Sequence, residues 1–157
     1  MLILVLNFFF FLFPAEPVEE VTLEQLQSKV IQSTNDTLYV VNFWATWCKP
    51  CVAELPYFEQ AGETYKAQNV KVLLVSLDFL RDKQKVDKFV TDRSLKSEVV
   101  LLNAGNPNSW IDKIEPQWGG AIPATILYRK GEKVFFREGE FEQTELDSLI
   151  QTKLNKQ

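Results

Sequence analysis

The sequence predicts one α/β domain, built as a mixed central β-sheet with helices on both faces. Two mainly apolar runs, at residues 38–44 and 70–77, are typical of central strands that are covered on both sides. A segment with helical periodicity separates them, so the chain begins as βαβ, and a hairpin and a helix follow later. The 157 residues suit a single domain with a substantial core.

Residues 1–15 are set apart from the predicted domain, which spans residues 16–157. Residues 2–13 are apolar except for Asn7. This run is shorter than the ~20 residues of a comfortable membrane span and is typical of a secretory signal peptide, with Ala15 before the cleavage point. Because no basic residue precedes the run, a short membrane anchor at residues 2–13 or a misplaced start stays open as an alternative.

The first helix of the domain is marked by its N-terminal residues. Residues 17–20 are expected to form a linker. Thr22 and Gln25 then fit a capping box, in which each side chain accepts a hydrogen bond from the backbone N–H of the other residue. The helix is predicted to run to Ile31, with apolar residues at helical spacing on one face.

The later elements follow from the spacing of apolar residues and from the turn-forming residues between them. Pro56 is expected to kink its helix, because proline has no backbone N–H to donate. Gly131 marks a hairpin turn. In chain order the sequence predicts a strand at 38–44, a helix at 48–67, a strand at 70–77, a helix at 82–93, a strand at 99–102, a short helix at 110–114, strands at 124–128 and 133–137, and a helix at 144–154.

The composition excludes several kinds of function. Seventeen Lys and Arg against 21 Asp and Glu give a net charge of −4, so no basic surface favours nucleic acid. The chain has no histidine, which removes Ser-His and Cys-His catalysis, covalent c-type haem attachment and Cys/His zinc sites. Two cysteines alone cannot complete a structural zinc site. We therefore expect no metal and no cofactor.

Both cysteines lie in one motif, Trp47-Cys48-Lys49-Pro50-Cys51, at the predicted junction of a strand and a helix. Only a thiolate attacks a disulfide, and the free N–H groups and dipole at a helix start favour negative charge on Cys48. Lys49 adds a positive charge, and Pro50 suits a first helical turn. In such motifs thiol pKa values fall from ~8.5 to between ~3.5 and ~7.5. The motif predicts a redox pair; the alternative, a passive disulfide, would close too small a loop to restrict the unfolded chain much.

Three segments carry a resemblance to a known family. Residues 41–51, Val-Asn-Phe-Trp-Ala-Thr-Trp-Cys-Lys-Pro-Cys, strongly resemble the active-site segment of the thioredoxin superfamily. Residues 52–56, Val-Ala-Glu-Leu-Pro, are similar to the segment after the cysteines in TlpA- and ResA-like thiol–disulfide oxidoreductases of the bacterial envelope. Residues 120–125 resemble the cis-proline loop of the family. The likeness covers about residues 20–155 and implies a thioredoxin-like fold.

The resemblance implies catalytic roles for two residues and a cis peptide bond at a third. Cys48 would be the exposed nucleophile, and Cys51 would resolve the mixed disulfide. Pro123 would follow a cis peptide bond and lie across from the disulfide, where the adjoining backbone pairs with a substrate strand.

The same resemblance implies which residues bind substrate and tune the redox potential. Trp47 would shape the docking surface, and Ile122 would contribute both to substrate binding and to the redox potential. Lys49 and Pro50, between the cysteines, and Asn42, on the preceding strand, would also influence that potential. Trp110 and Trp118 have two open interpretations, the packing of a short helix or the lining of a substrate groove.

One position departs from thioredoxin. Asn42 stands where thioredoxin has a buried aspartate that helps to move the proton of the second cysteine, and asparagine cannot titrate. Glu54 shares a helix face with Cys51, and in the TlpA/ResA group a glutamate at this place is thought to serve instead. A buried Glu54 would have a raised pKa suited to that role, whereas the alternative is an ordinary exposed carboxylate.

The resemblance implies a thiol–disulfide oxidoreductase of the periplasm or another extracytoplasmic compartment. Its expected partners are disulfide-bonded protein substrates and an upstream electron donor, for which a membrane thiol transporter is one candidate, and the protein is expected to be a monomer. We expect it to reduce exported proteins, although oxidation or isomerisation stays open, because the direction depends on the reduction potential.

Three alternative functions remain beside this one. A thiol peroxidase is disfavoured, because peroxiredoxin-like sites carry a Pro-x-x-x-Thr-x-x-Cys pattern and the residue seven places before Cys48 is Val41. A non-catalytic peptide-binding module would leave the cysteines incidental. Copper delivery is weakened by the missing histidine.

Overall fold

The computed structural model describes residues 17–31 and 36–155. The strands of this part of the chain are β1 (Glu19–Val21), β2 (Leu38–Trp44), β3 (Val70–Ser76), β4 (Glu98–Leu102), β5 (Ala124–Arg129) and β6 (Glu132–Glu138). The helices are α1 (Leu23–Ile31), α2 (Lys49–Thr64), α3 (Lys83–Arg93), α4 (Ile111–Ile114) and α5 (Gln143–Asn155). Short 3₁₀ turns lie at Lys66–Gln68, Leu80–Asp82 and Pro107–Ser109.

The strands form one mixed sheet in the order β1-β4-β3-β2-β5-β6. The pairs β1–β4, β4–β3 and β3–β2 are parallel, whereas β5 is antiparallel to both β2 and β6. Side chains of β2 alternate between the two faces: Val40 and Trp44 pack with α2, α3 and α5, while Val41 and Phe43 pack with α1 and α4. The predicted mixed sheet with helices on both faces is confirmed, and Trp44 is a core residue.

Local signals place several element ends correctly. Thr22 and Gln25 form the predicted capping box, with the Thr22 N–H donating to Gln25 Oε1 at 2.7 Å and the Gln25 N–H to Thr22 Oγ1 at 3.2 Å. The hairpin turns at Lys130 and Gly131, both with positive φ. A Cβ at Gly131 would lie 2.5 Å from the backbone oxygen of Ile31, so glycine is needed there for space as well as for conformation.

Two predicted boundaries are wrong. The expected linker at residues 17–20 contributes to β1, which pairs with β4 through a stretch of only three residues, too short for an alternating pattern to show in the sequence. The helix predicted to reach residue 67 ends at Thr64, and a 3₁₀ turn and a left-handed Asn69 then reverse the chain into β3. The helix continues through Pro56, and the kink expected there stays a prediction.

The topology brings three segments to one edge of the sheet. Trp44 and Ser76 are paired at the C-terminal ends of the parallel strands β2 and β3. Because β5 runs antiparallel to β2, its first residue, Ala124, pairs with Phe43 at the same edge. The cysteine motif after β2, the loop after β3 and Pro123 before β5 therefore meet.

The predicted segment 1–15 lies outside the described residues. Among residues 17–31 and 36–155, no helix combines the length and the apolar character that crossing a membrane requires.

Candidate active site

The two cysteines form a disulfide at the start of α2. Their Cα atoms are 5.3 Å apart. Cys48 is the N-cap of the helix, and its sulfur accepts the backbone N–H of Cys51 at 3.3 Å. Cys48 is predicted to be exposed, but in the disulfide form it is buried with 6% of its surface accessible, while Cys51 has none. Cys48 is thus the more accessible residue of the pair. The next residues, Lys49 and Pro50, are exposed at the helix start.

The loop before β5 lies against Cys48. The Ile122–Pro123 peptide bond is cis, as predicted. The carbonyl oxygen of Ile122 lies 3.7 Å from Cys48 Sγ, and the Pro123 carbonyl accepts the N–H of Gly139 at 2.8 Å. The loop thus presents backbone groups beside the sulfur from which exchange would start.

Two tryptophans support this loop from beneath. The indole N–H of Trp118 donates to the carbonyl of Ala121 at 2.8 Å, and its ring packs against Phe43 at a tilt of 47°, with centroids 4.8 Å apart. Trp110 is buried against Trp118, with centroids 5.8 Å apart, and its indole N–H has no partner among the described residues. Trp118 is therefore a packing residue that also fixes the loop. Trp110 lines a groove, and the substrate-groove interpretation stays a prediction.

Glu54 is the buried carboxylate of the site, at 1% exposure. Its Oε2 accepts the backbone N–H of Phe141 at 2.7 Å, and its Oε1 accepts an N–H of Asn42 Nδ2 at 2.8 Å. Burial raises the pKa of Glu54 to about 7, and the N–H donors of Phe141 and Asn42 offset the effect of burial only in part. The alternative of an exposed helix carboxylate is therefore excluded. A carboxyl group with this pKa can take or give a proton near neutral pH.

The Asn42 side chain lies between the sheet and α2. Its Nδ2 also donates to Thr125 Oγ1 on β5 at 3.2 Å, so one amide links β2, β5 and α2. Its Oδ1 has no hydrogen-bond partner among the described residues. Asn42 thus supplies one N–H donor to Glu54 and another to Thr125 without adding a second titratable group.

Sequence reasoning did not identify Asp78, which ties the cysteine motif to the neighbouring strand. Its Oδ1 accepts the Thr46 hydroxyl at 2.6 Å, and its Oδ2 accepts the Thr46 N–H at 2.9 Å and the Ser76 hydroxyl at 2.8 Å. Asp78 is 4% exposed. The available signal was positional, because Thr46 and Asp78 each follow one of two predicted parallel strands.

An apolar groove of about 520 Å³ opens next to the disulfide. Trp47, which is 64% exposed, and Ile122 both line this groove. These positions are compatible with the substrate-binding roles predicted for them. Other lining residues come from the loop after β3 and from the segment that contains α4. Within the described ranges, no group of three or more Cys, Asp or Glu side chains is arranged to hold a metal ion.

The chain matches the AhpC/TSA family over residues 14–136, which is more than half of its length. It belongs to the AhpC/TSA family. The chain is also 34% identical over 95 residues to the thiol-disulfide oxidoreductase ResA of Geobacillus thermodenitrificans. This alignment covers 60% of this chain and 49% of the relative. The chain therefore spans about half the length of the ResA relatives that it matches.

Solved structures similar to this AhpC/TSA chain support the thioredoxin-like fold. One is a putative thiol:disulfide interchange protein DsbE from Chlorobium tepidum, with a TM-score of 0.64, 22% identity, and coverage of 79% of this chain and 84% of the other. Another is a secreted Mycobacterium tuberculosis disulfide oxidoreductase homologous to DsbE, with a TM-score of 0.58, 22% identity, and coverage of 77% and 85%. At these identities the likeness supports the fold alone.

Proposed function

We propose that this protein is a thiol–disulfide oxidoreductase that reduces disulfides of exported proteins. The observation that carries the proposal is the Cys48–Cys51 disulfide at the start of α2, with Cys48 against the Ile122 carbonyl. The ResA relatives, which are named thiol-disulfide oxidoreductases, support the same chemistry.

In the proposed reaction two electrons pass from the reduced cysteine pair to the substrate. The Cys48 thiolate attacks one sulfur of the substrate disulfide, forming a mixed disulfide, and the second substrate sulfur leaves as a thiolate. Cys51 then loses its proton and attacks Cys48 Sγ, which forms the Cys48–Cys51 disulfide and releases the first substrate sulfur. An upstream dithiol donor reduces the pair again for the next turnover.

Glu54 is proposed to accept the proton of Cys51. It lies three residues further along the same helix, so the two side chains share a face of α2. Its pKa of about 7 lets the carboxylate accept a proton and release it again near neutral pH. Asn42 is proposed to steady the carboxylate through its N–H donor. The remaining proposed roles are docking by Trp47, Ile122 and Pro123, and tuning of the potential by Lys49 and Pro50.

The proposed setting is extracytoplasmic, with the protein acting as a monomer. The apolar residues 2–13 support export or anchoring, and one structural neighbour is described as secreted. Protein disulfides also persist mainly in oxidising compartments outside the cytosol.

A trapping experiment tests the chemistry. In a Cys51→Ser variant, substrates should remain attached to Cys48 as mixed disulfides that dithiothreitol releases and mass spectrometry identifies. A Cys48→Ser variant is the matched control and should trap nothing. Trapping by Cys48→Ser alone would reverse the assigned roles, equal trapping would contradict distinct roles for the two cysteines, and trapping by neither would contradict the proposal.

The thiol peroxidase alternative is tested with hydrogen peroxide. The Thr46 hydroxyl donates its hydrogen bond to Asp78, so it does not donate to a group beside Cys48. We expect the reduced protein to consume hydrogen peroxide far more slowly than it reduces a disulfide. Faster consumption of peroxide would favour the peroxidase.

A further inference from the structure

The exposed apolar side chains of this protein are concentrated at one place. Among the described residues the exposed large hydrophobic side chains are Ile31, Trp47, Phe79 and Leu80. All but Ile31 line the groove of about 520 Å³ beside the disulfide. Phe79 is 63% exposed and Leu80 is 40% exposed. Apolar side chains clustered in this way on a soluble domain mark a site of interaction.

The groove is continuous with the cysteine motif. Trp47 directly precedes Cys48, and Ile122, at the same groove, has its carbonyl 3.7 Å from Cys48 Sγ. Pro107 and Ile111 contribute to the lining from the segment between β4 and β5. A chain that lies in the groove would therefore have its neighbouring residues within reach of the reactive sulfur.

Two of the contributing loops are held together before any partner binds. Asp78, at the beginning of the loop that carries Phe79 and Leu80, accepts both the N–H and the hydroxyl of Thr46, the residue before Trp47. The N–H of Leu77 also donates to the carbonyl of Trp44 at 2.8 Å. Because these loops are already fixed to one another, docking would cost little ordering of the protein.

The groove also has a charge preference. Its charged lining residues within the described chain are Asp78 and Arg81. Asp78 is buried with both oxygens occupied, whereas the Arg81 side chain is 80% exposed and its guanidinium lies 4.7 Å from the centre of the Phe79 ring. The ion pair between Arg81 and Asp82 is long, with 3.9 Å from Nε to Oδ2. Asp82 forms a shorter ion pair with Lys85, at 2.6 Å. A partner at this groove would therefore face apolar surface and a positive charge.

We propose that the groove binds the polypeptide of the disulfide substrate through apolar side chains next to the reacting cysteine and through a carboxylate that faces Arg81. This inference rests on the proposed function and adds the class of substrate: cysteines flanked by apolar residues in an acidic segment. The groove volume lies within the ~300–1,000 Å³ that is typical of ligand sites, which is room for a few side chains.

Single-turnover kinetics test the apolar part of the proposal. The pre-reduced full-length protein is mixed with short cysteine peptides that carry a thionitrobenzoate cap, whose release is coloured, and cysteine with the same cap serves as the small substrate. We expect the rate constant for a Leu/Phe-flanked peptide to exceed that for a Ser-flanked peptide about tenfold, as partial burial of one large side chain would give.

The variant series then assigns this preference to the groove. The double variant Phe79→Ser/Leu80→Ser should lose most of the tenfold preference, measured as the ratio of the two peptide rate constants. Ile31→Ser removes an exposed apolar residue outside the groove and should keep the preference. A double variant with the wild-type ratio would overturn the proposal.

Charge reversal tests the carboxylate. Arg81→Glu should shift the preference from a Glu-containing peptide to a matched Lys-containing peptide by about tenfold or more at low salt, and the shift should shrink as salt is added. Lys66→Glu, in the 3₁₀ turn that follows α2 at the end away from the disulfide, makes the same change of charge and should leave the preference unchanged. An Arg81→Glu variant that keeps the wild-type preference would contradict the assignment.

Photocrosslinking from position 79 decides between occupants. With benzoylphenylalanine in place of Phe79, the full-length protein should crosslink to the apolar peptide. Crosslinks to residues 1–16 or to a second copy that persist with peptide in excess would overturn the proposal. Failure of the wild type to release thionitrobenzoate even from the small substrate would instead reject the oxidoreductase function, so the two failures are distinguishable.

Discussion

Asn42 Nδ2, on β2, donates a hydrogen bond to Glu54 Oε1, on α2, at 2.8 Å. Glu54 lies one helical turn after Cys51. Glu54 is therefore a buried acid that is held between β2 and the N–H of Phe141. An asparagine in this position donates to the carboxylate and has no titratable proton of its own, so Glu54 is the titratable member of this pair.

The burial of Glu54 should make the stability of the oxidised protein depend on pH. Its pKa is about 7 in the folded protein against an ordinary value of 4.5, so the folded state binds the proton more tightly. Stability from this group is therefore full below about pH 4.5 and is lost as the pH rises through about 7. The difference is on the order of 3 kcal/mol.

Urea unfolding between pH 4 and pH 9 measures this effect. Glu54→Gln should flatten the loss of the free energy of unfolding across that range, since glutamine does not titrate. Glu63→Gln, which alters an exposed position of the same helix, should retain the wild-type slope. A Glu54→Gln protein with an unchanged slope would show that another group is responsible.

Removing the Asn42 donor should raise the pKa of Glu54 further. The Asn42 N–H favours the carboxylate form, so an Asn42→Leu variant loses a contribution that lowers the pKa. NMR titration of ¹³C-labelled glutamate should then place the Glu54 midpoint above that of the wild type. A midpoint at or below the wild-type value would contradict the effect of the Asn42–Glu54 hydrogen bond on this pKa.

Cys48 should react with alkylating agents before Cys51 in the reduced protein. Cys48 is the N-cap of α2 and is partly accessible, whereas Cys51 is fully buried in the first turn. We expect Cys48 to be labelled at least about tenfold faster with iodoacetamide near neutral pH, because the thiolate at the helix start is the reactive form. Peptide mapping after brief labelling measures the order, and preferential labelling of Cys51 would reverse it.

Asp78→Asn should destabilise the protein and weaken the link between the loops after β2 and β3. An amide side chain cannot accept all three hydrogen bonds that the carboxylate accepts, so we expect a loss of about 1–3 kcal/mol in urea unfolding. Asp92→Asn removes an exposed ion pair with Lys88 and should cost less than about 1 kcal/mol. Equal losses in the two variants would mean that the Asp78 network contributes little.

Gly131→Ala should cost more stability than Gly105→Ala. Both glycines have positive φ, 78° and 69°, so both substitutions carry backbone strain of about 1 kcal/mol. Only at Gly131 would the new methyl group meet a backbone oxygen, that of Ile31 at 2.5 Å, while nothing lies within 4 Å at Gly105. Thermal and urea unfolding of the two variants should therefore differ by at least about 1 kcal/mol. Equal losses would contradict that contact.

The sequence by itself determined the features that depend on near neighbours in the chain. Runs of apolar residues identified the central strands β2 and β3, and Thr22 with Gln25 identified the start of α1, because these signals lie in residues that are close together in the chain. The cysteine motif and the loop at Pro123 could be recognised for the same reason. The short strand β1 could not, since it exists only through its pairing with β4.

Only the tertiary structure decided which groups surround those cysteines. The partner of Glu54 Oε2 is the N–H of Phe141, 87 residues away, and the partner of Asp78 is Thr46, 32 residues away. Such contacts depend on which strands and helices pack together, and no local pattern encodes that arrangement. The raised pKa of Glu54 and the apolar groove beside Cys48 both follow from it, because burial removes a carboxyl group from water and packing decides which apolar side chains remain exposed.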